Sequence, residues 1–156
     1  MRFRLAVLVA VTSLLTVVSP AFAGPPHTPS TDWAFVRHEV WELPLPMFIA
    51  STQHPDPWFD WSTDGCSAPL LGGRGVSYDF RAACRRHDFG YRNVRRLERR
   101  YGTGRSYWNH TTRLLIDQQF LADMRTSCRH RNLLLRPICS MWAHIYYLGV
   151  RQFGGP

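Results

Sequence analysis

Hydrophobic positions recur at helical spacing in three long stretches of this chain, and segments rich in proline or glycine separate them. Ahead of these stretches, Ser30 or Thr31 is placed to cap a helix that carries Trp33, Val36, Val40 and Trp41 on one side. Pro44 and Pro46 end it, residues 47–50 form a second short helix, and His54-Pro55-Asp56-Pro57 reads as a turn. The glycine-rich run 70–75 predicts an irregular loop leading into a long helix over about 78–99, which Gly102 and Gly104 then interrupt. A second long helix over about 109–129 carries Leu114, Phe120, Leu121, Met124 and Cys128 on its apolar side. A third follows Pro137 and ends near Gly154, with Ile138, Met141, Trp142, Ile145, Tyr146 and Gly149 expected in the core. No strand-like alternation and no internal repeat is long enough to carry weight, so the expected fold is a small all-α domain.

One ionisable group breaks this pattern. Residues 114, 117, 121, 124 and 128 share a helix face, and Asp117 sits where that face demands a hydrophobe. A buried carboxylate needs a partner. His87 of the other long helix is one reading and Arg113, one turn away, is the other; Tyr146 and Tyr147 are further possible hydroxyl donors. On the first long helix Cys84, His87, Asp88 and Tyr91 fall at i, i+3, i+4 and i+7 and so line one side. An imidazole and a carboxylate turned inward are tolerated only when paired or bound to a metal, which makes them candidates for a site.

The N-terminus changes the frame of the argument. Arg2 and Arg4, an apolar stretch from Leu5 to Val18, and Ala21-Phe22-Ala23 have the layout of a secretory signal cleaved after Ala23. Residues 24–156 would then form one domain, divided into an N-terminal helical segment over 24–57 and a core over 58–156. That part has 17 basic against 11 acidic side chains, a net +6. Every basic residue is arginine, and the positive balance suits an anionic surface, phospholipid or nucleic acid, without choosing between them. Cys66, Cys84, Cys128 and Cys139 all lie beyond the signal, and export with an even count argues for two disulfides. Three pairings are possible and sequence alone does not choose. Local geometry favours Cys66 with Cys84 and Cys128 with Cys139, because each pair brackets one loop between helical patterns. A zinc site built from Cys66, Cys84 and His87 is the competing view, though it lacks a closely spaced ligand pair.

A second motif, Asp60-Trp61-Ser62-Thr63-Asp64-Gly65-Cys66, combines hard oxygen donors with a glycine turn. Calcium takes about six to eight oxygens from carboxylates, backbone carbonyls and water. A bridge between Cys66 and Cys84 would hold this turn beside His87 and Asp88, where Asp64, the Gly65 carbonyl and Asp88 can converge on one cation. An Asp-Gly step on its own is an ordinary turn.

With both motifs in hand, the chain resembles the secreted prokaryotic and fungal phospholipases A2. The resemblance rests on 60–66, on Cys84-x-x-His87-Asp88-Phe89-Gly90-Tyr91-Arg92-Asn93, on Asp117 with Phe120, Asp123 and Met124, and on the cysteine layout. It implies two antiparallel long helices presenting a His-Asp pair beside one Ca2+ ion. His87 would be the general base and Asp117 its orienting partner. Asp64, Gly65 through its carbonyl, and Asp88 would be the metal ligands, and Cys66–Cys84 and Cys128–Cys139 the bridges. Gly65 departs from the larger apolar residue of relatives, which a backbone ligand tolerates.

The function implied is a secreted, extracellular, calcium-dependent phospholipase A2. It would act as a monomer on the sn-2 ester of phospholipids in a membrane or micelle, with no nucleic-acid partner and no transmembrane segment. A non-catalytic lipid-binding module and a metal-dependent nuclease are the alternatives. A serine hydrolase is disfavoured, since no Gly-x-Ser-x-Gly elbow occurs. Arg81, Arg85, Arg92, Arg96 and Arg99 are expected on a solvated helix face, and Trp58, Phe59 and Trp61 in the core.

Overall fold

The structure, a computed structural model, describes residues 26–66 and 72–154. The expected signal at 1–23 and residues 67–71 of the glycine-rich loop lie outside the described residues. The elements in order are α1 (Pro29–Arg37), a π-helical turn (His38–Glu42), α2 (Leu45–Ser51), α3 (Arg81–Tyr101), α4 (His110–Arg129) and α5 (Arg136–Phe153). Among the described residues there is no strand, only one isolated bridge between Arg74 and Asp79.

Local chemistry sets each boundary. The cap of α1 is Thr28 rather than Ser30 or Thr31. Its hydroxyl accepts the Thr31 amide while Thr31 Oγ1 accepts the Thr28 amide, and Pro29, with no N–H to satisfy, takes the first helical position. Pro44 ends this segment as expected, but Pro46 lies inside the first turn of α2 for the same reason. The long helix α3 starts at Arg81, later than position 78. The Phe80 amide donates to Gly73 O at 2.7 Å and Gly75 N–H to Tyr78 O at 3.0 Å, so 78–80 is already committed to pairing with 73–75. After α3, the Glu98 carboxylate accepts backbone N–H groups of Arg105, Tyr107 and Trp108, and Asn109 caps α4 through the Thr112 amide.

Contacts between α3 and α4 run in opposite chain order. Arg86 meets Asp123, His87 meets Asp117, Tyr91 meets Arg113, and Arg95 lies over Trp108, which sets the two helices antiparallel. Gly90 permits their close approach: a Cβ there would stand 3.1 Å from Ile116 Cγ2 and 3.3 Å from Val40 Cγ2. The bridges are Cys66–Cys84 and Cys128–Cys139, with Cα separations of 5.4 and 5.6 Å. The pairing overturns the zinc alternative, because neither Cys66 nor Cys84 is a free thiolate.

Two apolar clusters flank α3. Phe80, Ala83 and Cys84 pack with Phe120, Met124, Cys139, Ala143 and Tyr146 on one side. Phe89, Val94 and Leu97 pack with Val36, Val40, Phe48, Phe59 and Ile116 on the other. The N-terminal segment therefore covers the flank of α3 away from α5. Phe59 is fully inside, and Trp58 and Trp61 pack against the second cluster, in line with the core reading.

The third long helix corrects the expected core. Ile138, Met141 and Ile145 are exposed, and the buried side of α5 is Cys139, Ala143 and Tyr146. The cause is register: the bridge to Cys128 turns Cys139 inward, positions 143 and 146 follow it, and 138, 141 and 145 fall elsewhere on the helix.

Candidate active site

Side chains from α3, α4 and α5 converge on Asp117, which is fully buried. His87 Nε2 lies 2.8 Å from Asp117 Oδ1, and the Tyr91 hydroxyl donates to the same oxygen at 2.7 Å. The other oxygen accepts from Arg151 Nη1 at 2.7 Å, with Arg113 Nε 3.7 Å away. Both expected partners, His87 and Arg113, are thus present together. Burial alone pushes the Asp117 carboxyl up, but the hydrogen bonds from His87, Arg151 and Tyr91 outweigh it and hold the group below the usual aspartate range. An ionised Asp117 is an acceptor only, so the proton between the two rests on Nε2 and leaves the Nδ1 lone pair for other work.

Tyr91 and Arg151 are partners that the sequence does not announce. Tyr91 lies on the helix face that spacing assigns it and is the donor, in place of the Tyr146 and Tyr147 hydroxyls that the sequence offers. Tyr146 turns away to the Gly72 carbonyl and lies 3.4 Å from the Tyr78 hydroxyl. Burial and the nearby anion push the Tyr91 hydroxyl well above the ordinary tyrosine range, so it remains a donor. Arg151 carries no motif; its only signal is a cation near the end of an otherwise apolar helix.

One turn along the same face, Asp88 meets the Asp60–Cys66 segment. The Asp88 Oδ2 accepts the Thr63 hydroxyl at 2.6 Å and the Asp64 amide at 3.1 Å, while Asp64 Oδ2 accepts from Arg92 at 3.3 Å. Asn93 clamps the start of this segment, accepting the Asp60 amide and donating to the Asp60 carbonyl, both at 2.8 Å. Burial raises the Asp88 carboxyl above the usual range; Thr63 opposes this, and the neighbouring Asp64 charge adds to it. Gly65 has φ +69° and Cys66 φ +62°, a left-handed turn that ends in the disulfide to α3.

Asp64 and Asp88 put hard oxygens beside a glycine turn, a chemistry that would suit calcium, with one oxygen of each carboxylate already bonded within the protein. Among the described residues no three His, Cys, Asp or Glu side chains converge as metal ligands, so such an ion would draw its remaining oxygens from backbone carbonyls and water.

His87, Asp64, Asp88, Tyr91 and Phe120 border a cleft of about 700 Å³ whose far wall is Ile145, Tyr146, Gly149, Val150 and Phe153 of α5. It is mostly apolar, with its charged groups gathered at the α3 side, as a site for an amphiphile would be.

The chain is similar to known proteins. Residues 37–154 match the family described as prokaryotic phospholipase A2. A secretory phospholipase A2 of Beauveria bassiana is 32% identical over 142 residues, covering 90% of this chain and 67% of its own length. A secretory phospholipase A2 of Arthroderma benhamiae is 38% identical over 101 residues, covering 63% of this chain and 62% of its own. The chain thus spans about two thirds of the length of these relatives. It belongs to the prokaryotic phospholipase A2 family and is an enzyme of that class.

Proposed function

We propose that the protein is a secreted, calcium-dependent phospholipase A2 that cleaves the sn-2 ester of glycerophospholipids, with residues 24–156 acting as one domain. The observation that carries the reading is the 2.8 Å contact from His87 to a buried, ionised Asp117 on the wall of the cleft, beside Asp64 and Asp88. The secretory relatives support export; among the described residues no helix is long and apolar enough to cross a membrane.

His87 Nδ1 accepts a proton from water as the water oxygen forms a bond to the ester carbonyl carbon. Asp117 holds the ring in the Nε2–H tautomer and stabilises the imidazolium that results. Collapse of the tetrahedral species breaks the bond to the glycerol oxygen, which takes the proton back from His87. The products are a fatty acid and a lysophospholipid, with no acyl-enzyme. Asp64, the Gly65 carbonyl and Asp88 would hold calcium, whose charge would favour the substrate phosphate and the developing oxyanion. The apolar wall of α5 would take the acyl chains.

The test is hydrolysis of a mixed-chain phosphatidylcholine with and without excess chelator, identifying the acid released. Release of the sn-2 chain only, abolished by chelator and restored by calcium, is expected. Release of the sn-1 chain, or full activity in chelator, overturns the reading.

A further inference from the structure

A second hollow, of about 590 Å³, lies between α2, the start of α3 and the end of α4. Its charged lining is Arg81 and Arg85 of α3 with His130 and Arg131 just past α4, and one carboxylate, Asp79, stands among them. It shares no lining residue with the cleft. Arg81 and Arg85, four residues apart, lie on one face of α3, whereas Arg85 and His87 are about 160° apart at 100° per residue, so hollow and cleft belong to different sides of the helix.

The charges of the hollow are not balanced within the chain. Asp79 is engaged by Arg81, whose Nε and Nη2 donate to its two oxygens at 2.9 and 2.7 Å. Among the described residues, Arg85 and Arg131 form no salt bridge and donate no side-chain hydrogen bond, and the Nε of the half-buried Arg85 is shut away from water without an acceptor. A guanidinium drawn partly out of water and given no acid is costly unless a counter-charge comes from outside. The backbone favours the same sign of ligand: Arg81 and Ala82 begin α3, so the hollow lies at the positive end of that helix. The carbonyl end of α4 would oppose an anion, but the Ser127 and Cys128 carbonyls accept the amides of His130 and Arg131 at 3.3 and 3.0 Å.

A guanidinium fork matches the oxygens of a phosphate better than any other common anion but a carboxylate, and two forks facing one hollow suit a tetrahedral group with oxygens on several sides. The space exceeds a single phosphate, and Ile49 and Ala82 add apolar surface beside the cations. We propose that this hollow binds a phosphate group carried on a larger molecule, through Arg85 and Arg131, with Arg81 and His130 at its edge. The proposal stands apart from the phospholipase reading. A soluble phosphate monoester and a lipid headgroup present the same oxygens, and the test separates them.

The test uses the full secreted chain in chelator and three probes: inorganic phosphate and glycerol 3-phosphate by titration calorimetry, and vesicles of phosphatidylcholine with and without phosphatidic acid by cosedimentation. The variant is Arg85→Gln/Arg131→Gln, and Arg99→Gln/Arg105→Gln, which removes the same charge at exposed positions outside the hollow, is the control. The hollow variant is expected to bind at least about 10-fold more weakly, with the control within about 2-fold of the parent. Saturable binding of glycerol 3-phosphate, lost in the hollow variant, identifies a soluble ester. A gain in vesicle binding from phosphatidic acid, lost in that variant while the soluble probes do not bind, identifies a headgroup. Binding of none of the probes by the parent overturns the proposal, as does equal weakening in the control, which would mark general charge attraction. Independently of any variant, glycerol 3-phosphate, or phosphatidic acid vesicles if only they bind, should slow modification of Arg85 and Arg131 by phenylglyoxal, read by mass spectrometry, and spare Arg99 no more than buffer does. Equal protection at all three positions, or at none, also overturns it.

Discussion

Among the described residues, two histidine–aspartate pairs are built almost alike. His87 and Asp117 are 2.8 Å apart, and so are His27 and Asp32. Each aspartate is buried, and each accepts a tyrosine hydroxyl, Tyr91 at 2.7 Å in one case and Tyr101 at 3.0 Å in the other. Burial pushes both carboxyls up, and hydrogen bonds more than offset it in both, from Trp58, His27 and Tyr101 at Asp32. The surroundings differ. His87 lines a cleft shared with Asp64 and Asp88. The His27 ring instead stacks on Trp58 at 4.3 Å and 13°, so that the pair ties the start of α1 to the 56–59 turn and the end of α3. The pair itself is a way to bury a carboxylate; what makes a site of one is an adjoining cavity with oxygen donors.

The comparison can be broken most directly by removing each histidine. His87→Asn is expected to lower kcat by about 10²–10⁴-fold, the usual contribution of a positioned general base, without loss of helical signal. His27→Asn should leave turnover within about 2-fold and lower the melting temperature. Steady-state rates and thermal melts on both variants decide it, and an active His87→Asn would remove that residue from the role of base.

Removing the carboxylates comes next. Asp117→Asn keeps one amide oxygen but loses the charge that stabilises the imidazolium and fixes the ring tautomer, and a loss of up to about 10⁴-fold in kcat is expected. Asp32→Asn should cost about 1–3 kcal/mol of stability through weakened bonds to Trp58 and Tyr101, with kcat retained. Urea melts and initial rates separate the two, and a comparable fall in kcat at both positions would show that the pairs act alike. Between these in kind is Asp64→Asn, which should raise the calcium concentration needed for half-maximal rate by about 10-fold, as a ligand charge is lost. An unchanged calcium titration would remove Asp64 from the ligand set.

How legible these features are in the sequence depends on the distance over which they are decided. The extents of α4 and α5, and the inward faces of His87 and Asp117, follow from spacing, because a helix repeats every 3.6 residues whatever surrounds it, whereas spacing leaves the partner of Asp117 open between His87 and Arg113. The pairing of cysteines 66, 84, 128 and 139 agrees with local geometry because each loop is short. The start of α3 does not follow, since 78–80 is held by backbone bonds to 73–75 that no periodicity announces. Nor does the outward face of α5: its apolar residues exceed what the core can take, and only the Cys128–Cys139 tether decides which of them turn away. Arg151 reaches Asp117 from 34 residues along the chain. Asp32 and His27 form their pair without any sequence mark to separate it from a turn at the start of a helix.

The smallest expected effect is in the acid stability of the fold. Asp32 and Asp117 both have folded-state values below the ordinary aspartate value, so the stability they contribute is fully present above the unfolded value of about 3.9 and is lost as pH falls through the lower folded values. Asp88 and Glu39, raised chiefly by burial, act with the opposite sign: their contribution is most favourable when they are protonated and declines as pH rises through their ordinary range. Above pH 4 the depressed set contributes in full, and the raised groups Asp88, Glu39 and Asp123 lower the stability as pH climbs. Below pH 4 Asp32 and Asp117 titrate together with Asp60, Asp79 and Glu98, which are also held low, and each buried group can add up to about 1.4 kcal/mol per pH unit to the slope. Unfolding free energy measured by urea between pH 2 and 6 should therefore fall more steeply below pH 4 in the parent than in Asp32→Asn, which lacks the Asp32 share. Parallel curves would mean that Asp32 titrates alike in the folded and unfolded chain, and the likeness between the two pairs would then stop at geometry.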